Sequence, residues 1–259
     1  MGIHPACGAA NSPFFTLKLM AMLVVCSAAG AVAAAGKSPI APSADSRFRL
    51  GRTLYSDDFR VGLAHWALES EQPARVTAAG GVLDIDTPAG LTLWFRAELR
   101  GPVLIEYQAA AVSAGGPNDR VSDLNCFWMA TDRHSLTGPP DGARSGAFAE
   151  YNNLLSYYVG LGGNGNTTTR FRRYIGSETE RPLLPENDRN APDELLRSNL
   201  FQTIRLVADD RLIQYYRDEQ RLFEYDDPHP YTHGWFAIRT TKSHLRVRHF
   251  RVYRLISRE

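Results

Sequence analysis

Hydrophobic positions along the chain recur with a period of two, in short runs set off by turn residues. Val82-Leu83-Asp84-Ile85-Asp86 alternates and stops short of Pro88, and Leu91-Thr92-Leu93-Trp94-Phe95 follows directly. Alternation of this kind marks a strand with one face buried. Val103-Leu104-Ile105-Glu106-Tyr107 follows Gly101-Pro102. Residues 201–207 and 212–216 flank Asp209-Asp210, a hairpin signal. Residues 220–225, 235–240 and 245–255 complete the set. No stretch sustains a helical stripe. Residues 192–199, with Asp193 and Glu194 in the first turn, predict one short helix. Strands spaced about ten residues apart between Gly, Pro and Asp turns predict an all-β protein, an antiparallel two-sheet jelly roll, with no internal repeat and no second domain.

The N-terminus reads differently. Residues 19–35 carry no charge, follow Lys18 and end in Ala31-Val32-Ala33-Ala34-Ala35. That predicts an export signal over residues 1–35, whose uncharged run of 17 residues is too short for a membrane span of about 20 residues. A Pro/Ser/Ala-rich linker is expected over 36–53 and the jelly-roll domain over 54–255. The expected location is secreted or periplasmic in a bacterium, with no membrane span in the mature chain. Cys26 follows Leu23-Val24-Val25, a poor lipoprotein box because the residue before the cysteine should be small. Cys7 and Cys26 fall in the leader, so Cys126 stands alone, without an internal disulfide or cysteine zinc cluster. Its run, Cys126-Phe127-Trp128-Met129, predicts a buried, inert thiol.

Charge narrows the partners. The 259 residues carry 29 basic and 28 acidic side chains, a net charge of +1, which argues against a generally basic nucleic-acid binder. Lys18, Lys37 and Lys242 are the only lysines, so nearly all of the basic residues are arginine. The planar, permanently charged guanidinium suits carboxylates better than an ammonium does.

Residues 123–174 hold the densest mixture of polar aromatics, amides and arginines, the combination that sugars require: flat faces for C–H patches and fixed donors and acceptors for hydroxyls. On a strand Arg170, Arg172 and Tyr174 share one face. Likewise Asn125, Phe127 and Met129 oppose Cys126, Trp128 and Ala130. Two arginines beside a tyrosine make a carboxylate-receiving surface with a phenol at hand. The stretch 160–166 lacks the Lys-Ser/Thr of a phosphate loop and predicts a glycine-asparagine turn.

The closing stretch, from Phe201-Gln-Thr-Ile-Arg through Gly234-Trp-Phe-Ala-Ile-Arg to Arg251-Val-Tyr-Arg-Leu, resembles the end of a concanavalin-A-like jelly roll. It is similar to the YesU-like proteins and related uncharacterised secreted bacterial families that accompany polysaccharide breakdown. Asp57-Asp58-Phe59 and Trp66 match how such domains begin. The resemblance implies a carbohydrate-active protein. It does not select an activity, since the fold hosts lectins, glycosidases and lyases.

Elimination narrows the chemistry. There is no Glu-x-Asp-x-x-Glu strand for a retaining glycosidase, no Gly-x-Ser-x-Gly elbow and no His-Glu-x-x-His run. A β-eliminating lyase acting on a uronate polysaccharide fits what remains. Asn125, Asn164, Arg170 and Arg172, with Trp128 as a flat face, are the expected substrate-binding residues; Tyr158, Tyr174 and His244 are the expected proton carriers. No metal or other cofactor is expected in the reaction. A structural calcium ion is compatible with Asp57, Asp58 or Asp226-Asp227. The alternatives are a noncatalytic carbohydrate-binding module and a hydrolase or lyase of small modified glycosides. Under the lyase and binding-module readings alike, Asn125, Tyr158, Arg170, Arg172, Tyr174 and His244 should gather around one concave cleft.

Overall fold

The computed structural model describes residues 45–135 and 137–258, so the expected export signal and Cys26 lie outside the described residues. The chain forms β1 (Phe48–Asp57), β2 (Trp66–Ser70), β3 (Arg75–Ala79), β4 (Val82–Phe95), β5 (Leu99–Arg100), β6 (Val103–Ala111), β7 (Leu124–Asp132), β8 (Leu154–Gly162), β9 (Thr168–Ile175), β10 (Asp188–Arg189), β11 (Gln202–Asp209), β12 (Leu212–Arg217), β13 (Gln220–Asp226) and β14 (His233–Ser257). β1 starts inside the stretch expected as linker and pairs with the end of β14, Phe48 opposite Ser257. The expected helix at 192–199 reduces to one 3₁₀ turn, Pro192–Glu194.

Two long strands make this a jelly roll. β4 joins the two runs separated by Pro88, and β14 joins 235–240 to 245–255. They pair with each other from Ala237 opposite Trp94 to Val247 opposite Leu83, with a register shift between Thr241 and Ser243. The later half of β4 pairs with β2 and the earlier half with β3. One layer is therefore β10-β9-β8-β7-β14-β4-β2; the other is β13-β12-β11-β6-β14-β4-β3, with β1 beside the last part of β14.

Alternation then sorts the side chains. Leu91, Leu93, Cys126, Trp128, Tyr157, Val159, Phe171, Phe236 and Ile238 of the first layer meet Leu83, Ile105, Tyr107, Leu206, Tyr215, Leu245 and Phe250 of the second in one buried core. The opposite face of the first layer carries a separate cluster of Trp94, Phe127, Tyr151, Tyr158, Tyr174 and Ala237. Met129 breaks the alternation expected in β7. Its φ of 50° and the register shift after Trp128 form a bulge that leaves Met129 in the core and turns Ala130 to the outer face.

Candidate functional site

Register on the outer face of the first layer builds the site. One row crosses six strands: Ala67 beside Trp94, then Ala237, Phe127, Tyr158 and Arg172. The next row runs Glu69, Thr92, Arg239, Asn125, Gly160, Arg170 and Asp188. At the β8–β9 end this face opens into a pocket of about 330 Å³, lined by Asp123, Phe148, Tyr158, Asn164, Arg170, Arg172 and Arg181 among others.

The floor depends on one small residue. A β-carbon on Gly160 would come within 3.0 Å of the Tyr158 hydroxyl, so the glycine lets the phenol lie along the floor. On the rim the single turn Gly163–Asn166 is partly left-handed, with Asn164 at φ 53°, ψ 44°, a conformation asparagine tolerates well. Asn164 bonds to the Thr168 hydroxyl through its amide nitrogen (3.3 Å), which leaves its carbonyl oxygen as an acceptor at the rim.

The three arginines are not equivalent. Arg170 is held in a fork by Asp188, Nε at 2.8 Å and Nη2 at 3.1 Å, and this guanidinium keeps the Asp188 carboxyl below its ordinary range. Arg172 donates from Nη1 to the backbone carbonyl of Arg181. Among the described residues neither Arg172 nor Arg181 forms an ion pair with a carboxylate. Burial lowers the Arg172 pKa, and Arg181 and Arg170 push it the same way. Arg181 stacks over Phe148 with its guanidinium carbon 5.0 Å from the ring centre. Asp123, the one carboxylate on the pocket wall, accepts from the Ser122 hydroxyl at 2.5 Å and from Asn125 Nδ2 at 3.4 Å. Burial raises the phenol of Tyr158 well above its ordinary pKa, and raises that of Tyr174 while the Arg181 and Arg172 guanidiniums pull it down.

Five of the six residues expected in one cleft thus share this face. Tyr158, Arg170, Arg172 and also Asn164 line the pocket. Asn125 lies buried beside it, its carbonyl oxygen without a hydrogen-bond partner. Tyr174 is buried against Tyr158 (ring centres 5.5 Å apart), and its hydroxyl makes no hydrogen bond of ordinary geometry. Two residues fall elsewhere. Trp128 faces the core, tilted against Tyr157 and Phe171, because it alternates with Phe127, and so offers no surface to a sugar. His244 stands on the outer side of the second layer, alternating with the core residue Leu245, and bridges Asp119 (2.8 Å) and Asp84 (3.1 Å). It does not line the pocket and has no part in it.

Most of the carboxylates considered for calcium already have partners within the protein. Asp57 accepts from Phe59 N and Trp66 Nε1 and contacts His65; Asp226 pairs with Arg211; Asp227 takes Arg173 and Tyr157. No group of three or more His, Cys, Asp or Glu placed to hold a metal occurs among the described residues. None of their helices is long and apolar enough to cross a membrane.

Sequence reasoning missed Glu69, Arg181, Arg239 and Phe148. Arg239 had a visible signal: a charge directly after the apolar run Trp235-Phe236-Ala237-Ile238, two residues from Ala237 and so on its face of the strand. Glu69 had none, since β2 reaches the site only through its pairing with β4.

Known proteins agree with the architecture. The chain is similar to a Bacillus subtilis protein of unknown function with a galectin-like fold, at TM-score 0.64 and 14% identity, over 82% of this chain and 100% of that one. It is similar to β-agarase A from Zobellia galactanivorans (0.55, 12%, covering 86% and 98%) and to the endo-β-1,3-glucanase from Pyrococcus furiosus (0.53, 12%, covering 82% and 96%). At these identities the likeness is one of fold. No curated protein matches the chain in sequence. A family defined as a domain of unknown function, DUF6250, matches residues 85–250, well over half of the chain, and the chain belongs to that family.

Proposed function

We propose that this is an exported carbohydrate-active protein whose pocket receives an acidic sugar, and that it cleaves a uronate-containing polysaccharide by β-elimination. One observation carries the reading: Arg172 and Arg181 line an open pocket, and among the described residues neither forms an ion pair with a carboxylate. Planar guanidiniums beside a phenol and an amide are complementary to a carboxylate on a hydroxylated ring. The export signal expected over residues 1–35 agrees with a substrate outside the cytoplasm. The fold is shared with an agarase and a glucanase, which makes a glycan the natural ligand class to test.

In the elimination, Arg172 and Arg181 neutralise the uronate carboxylate and so acidify the adjacent C–H. A base removes that proton, the electron pair forms the ring double bond, the glycosidic C–O bond breaks and the leaving oxygen takes a proton. Tyr158, whose hydroxyl lies along the pocket floor, is the group placed to donate that proton. Asp123 is the wall carboxylate available as base. Hydrolysis by paired carboxylates lacks its second acid in this pocket.

The raised phenols also favour a second reading, noncatalytic binding, because a buried protonated tyrosine is a poor base. Incubation with a panel of uronate polysaccharides separates the two. Rising ultraviolet absorbance from unsaturated products supports elimination. Binding without absorbance change supports the module. Neither turnover nor binding on any acidic glycan refutes both.

A further inference from the structure

The pocket is only the open end of a longer polar row. Beyond Asn125 that row continues through Arg239 and Thr92 to Glu69, and residues 138–151 lie across it. We propose that this segment is a built-in occupant of a second sugar-binding subsite, formed by Trp94, Phe127, Glu69 and Arg239, and that an extended acidic glycan displaces it. The inference rests on reading the arginine pocket as an acidic-sugar site, because the two are continuous through Phe148.

The segment sits as a sugar would. The Tyr151 ring stacks on Phe127 at 5.6 Å and 19° and lies over Trp94 at 6.3 Å and 31°. Its hydroxyl donates to Glu69 Oε2 at 2.7 Å, as a sugar hydroxyl donates to a carboxylate. Trp94 Nε1 donates to the same oxygen at 2.8 Å. Arg239 lies between Phe148 and Tyr151, 4.8 and 4.5 Å from their ring centres.

The floor offers more than the segment uses. Arg239 Nε and Nη2 and Asn125 Oδ1 are buried without hydrogen-bond partners, and Glu69 Oε1 has only the Arg144 guanidinium at 3.8 Å; Glu69, Arg239 and Asn125 are at most 3% exposed. Buried charged atoms are costly to leave unmet, so a surface retaining them together suits a ligand richer in hydroxyls than this segment.

Few polar contacts tie the segment to the floor: Tyr151 Oη bonds to Glu69, Arg239 Nη1 bonds to the Gly146 carbonyl (3.0 Å), and Arg144 Nη1 forms an ion pair with Glu69 Oε1 (3.8 Å). Its other bonds are largely its own. Arg144 holds the Pro139 and Glu150 carbonyls, and Asp132 at its base; Glu150 holds Ser145 through nitrogen and hydroxyl. The bonds to Pro139, Glu150 and Ser145 survive if the segment moves as a unit, whereas the Arg144 ion pairs with Asp132 and Glu69 must be exchanged for the ligand.

The test is calorimetric titration of wild type, Tyr151→Ala and Tyr151→Phe with an oligouronide series from two to eight sugars. Tyr151→Ala should bind chains of four or more sugars at least fivefold more tightly, with disaccharide affinity within twofold of wild type. Tyr151→Phe keeps the stack and loses only the bond to Glu69; it should move the same way by a smaller factor and serves if Tyr151→Ala does not fold. Hydrogen exchange of residues 138–151 should quicken when wild type binds an octamer and stay unchanged with the dimer. Disaccharide binding with unchanged or weaker long-chain affinity in both variants, or a segment still protected under the octamer, overturns the second subsite alone. No binding at any length in any protein overturns the pocket reading with it.

Discussion

Arg170 and Arg172 point from the same strand face into the same pocket, yet their substitutions should differ sharply. Arg170 spends its fork on Asp188, a partly exposed pair of a kind contributing about 0–1 kcal/mol to stability. Its removal takes one already neutralised charge from the pocket wall. Arg172 has no carboxylate partner, so its free N–H groups meet the ligand. Charge-assisted hydrogen bonds of this kind contribute about 1.5–3 kcal/mol each to binding. Arg172→Ala should therefore weaken an acidic oligosaccharide by about 2–3 kcal/mol, roughly 30- to 150-fold. A carboxyl-reduced version of the same oligosaccharide should lose less than threefold. Stability should fall by about 1 kcal/mol, for the bond to the Arg181 carbonyl. Arg170→Ala should weaken the acidic ligand less than about fivefold, since a partly screened charge is worth little more. Titration calorimetry with both ligands, beside urea unfolding of each variant, measures all of this. An Arg170→Ala loss equal to or greater than that of Arg172→Ala would refute the distinction. So would an Arg172→Ala loss of the same size on the carboxyl-reduced ligand.

Three further outcomes follow from the packing. His244→Ala should leave acidic-sugar binding unchanged while lowering stability by about 1–3 kcal/mol, because its bonds to Asp84 and Asp119 lie on the other layer; a binding defect without a stability defect would contradict that placement. Burial raises the Glu69 carboxyl above its ordinary 4.5, so the folded chain holds that proton to higher pH than the unfolded chain. Stability should therefore fall as pH rises from about 4.5 through the raised value, and Glu69→Gln should flatten that part of the stability profile measured by denaturant titration. Burial also lifts the Cys126 thiol to about 12, so a thiol reagent at neutral pH should label it only at the rate of unfolding.

Local alternation made the core strands legible, and with them the shared face of Arg170, Arg172 and Tyr174. It could not show pairing partners. Trp128 looked like a sugar platform because aromatics on a strand are equally suited to core and surface; Phe127, one residue away, holds the outward position. Met129 defeated the two-residue period through a bulge that no local pattern announces. His244 belongs to the longest strand, β14, which passes from one layer to the other, so its distance in sequence from Arg239 says nothing of the face it reaches. Glu69 joins the site through β2, far from it in sequence, and Arg181 through the irregular loop after β9, which folds back over the strand without a local pattern. The linker estimate failed at its end for a related reason: β1 is held by pairing to the last strand rather than by a strong pattern of its own.

The central claim is that Arg172 and Arg181 receive the carboxylate of an acidic sugar. Its most direct measurement is a crystal structure of the protein with a short oligouronide. The account predicts a uronate carboxylate within hydrogen-bond distance of both guanidiniums, with the Tyr158 hydroxyl facing the same ring. A well-ordered oligouronide bound elsewhere on the molecule, with the Arg172 and Arg181 pocket untouched, would contradict it.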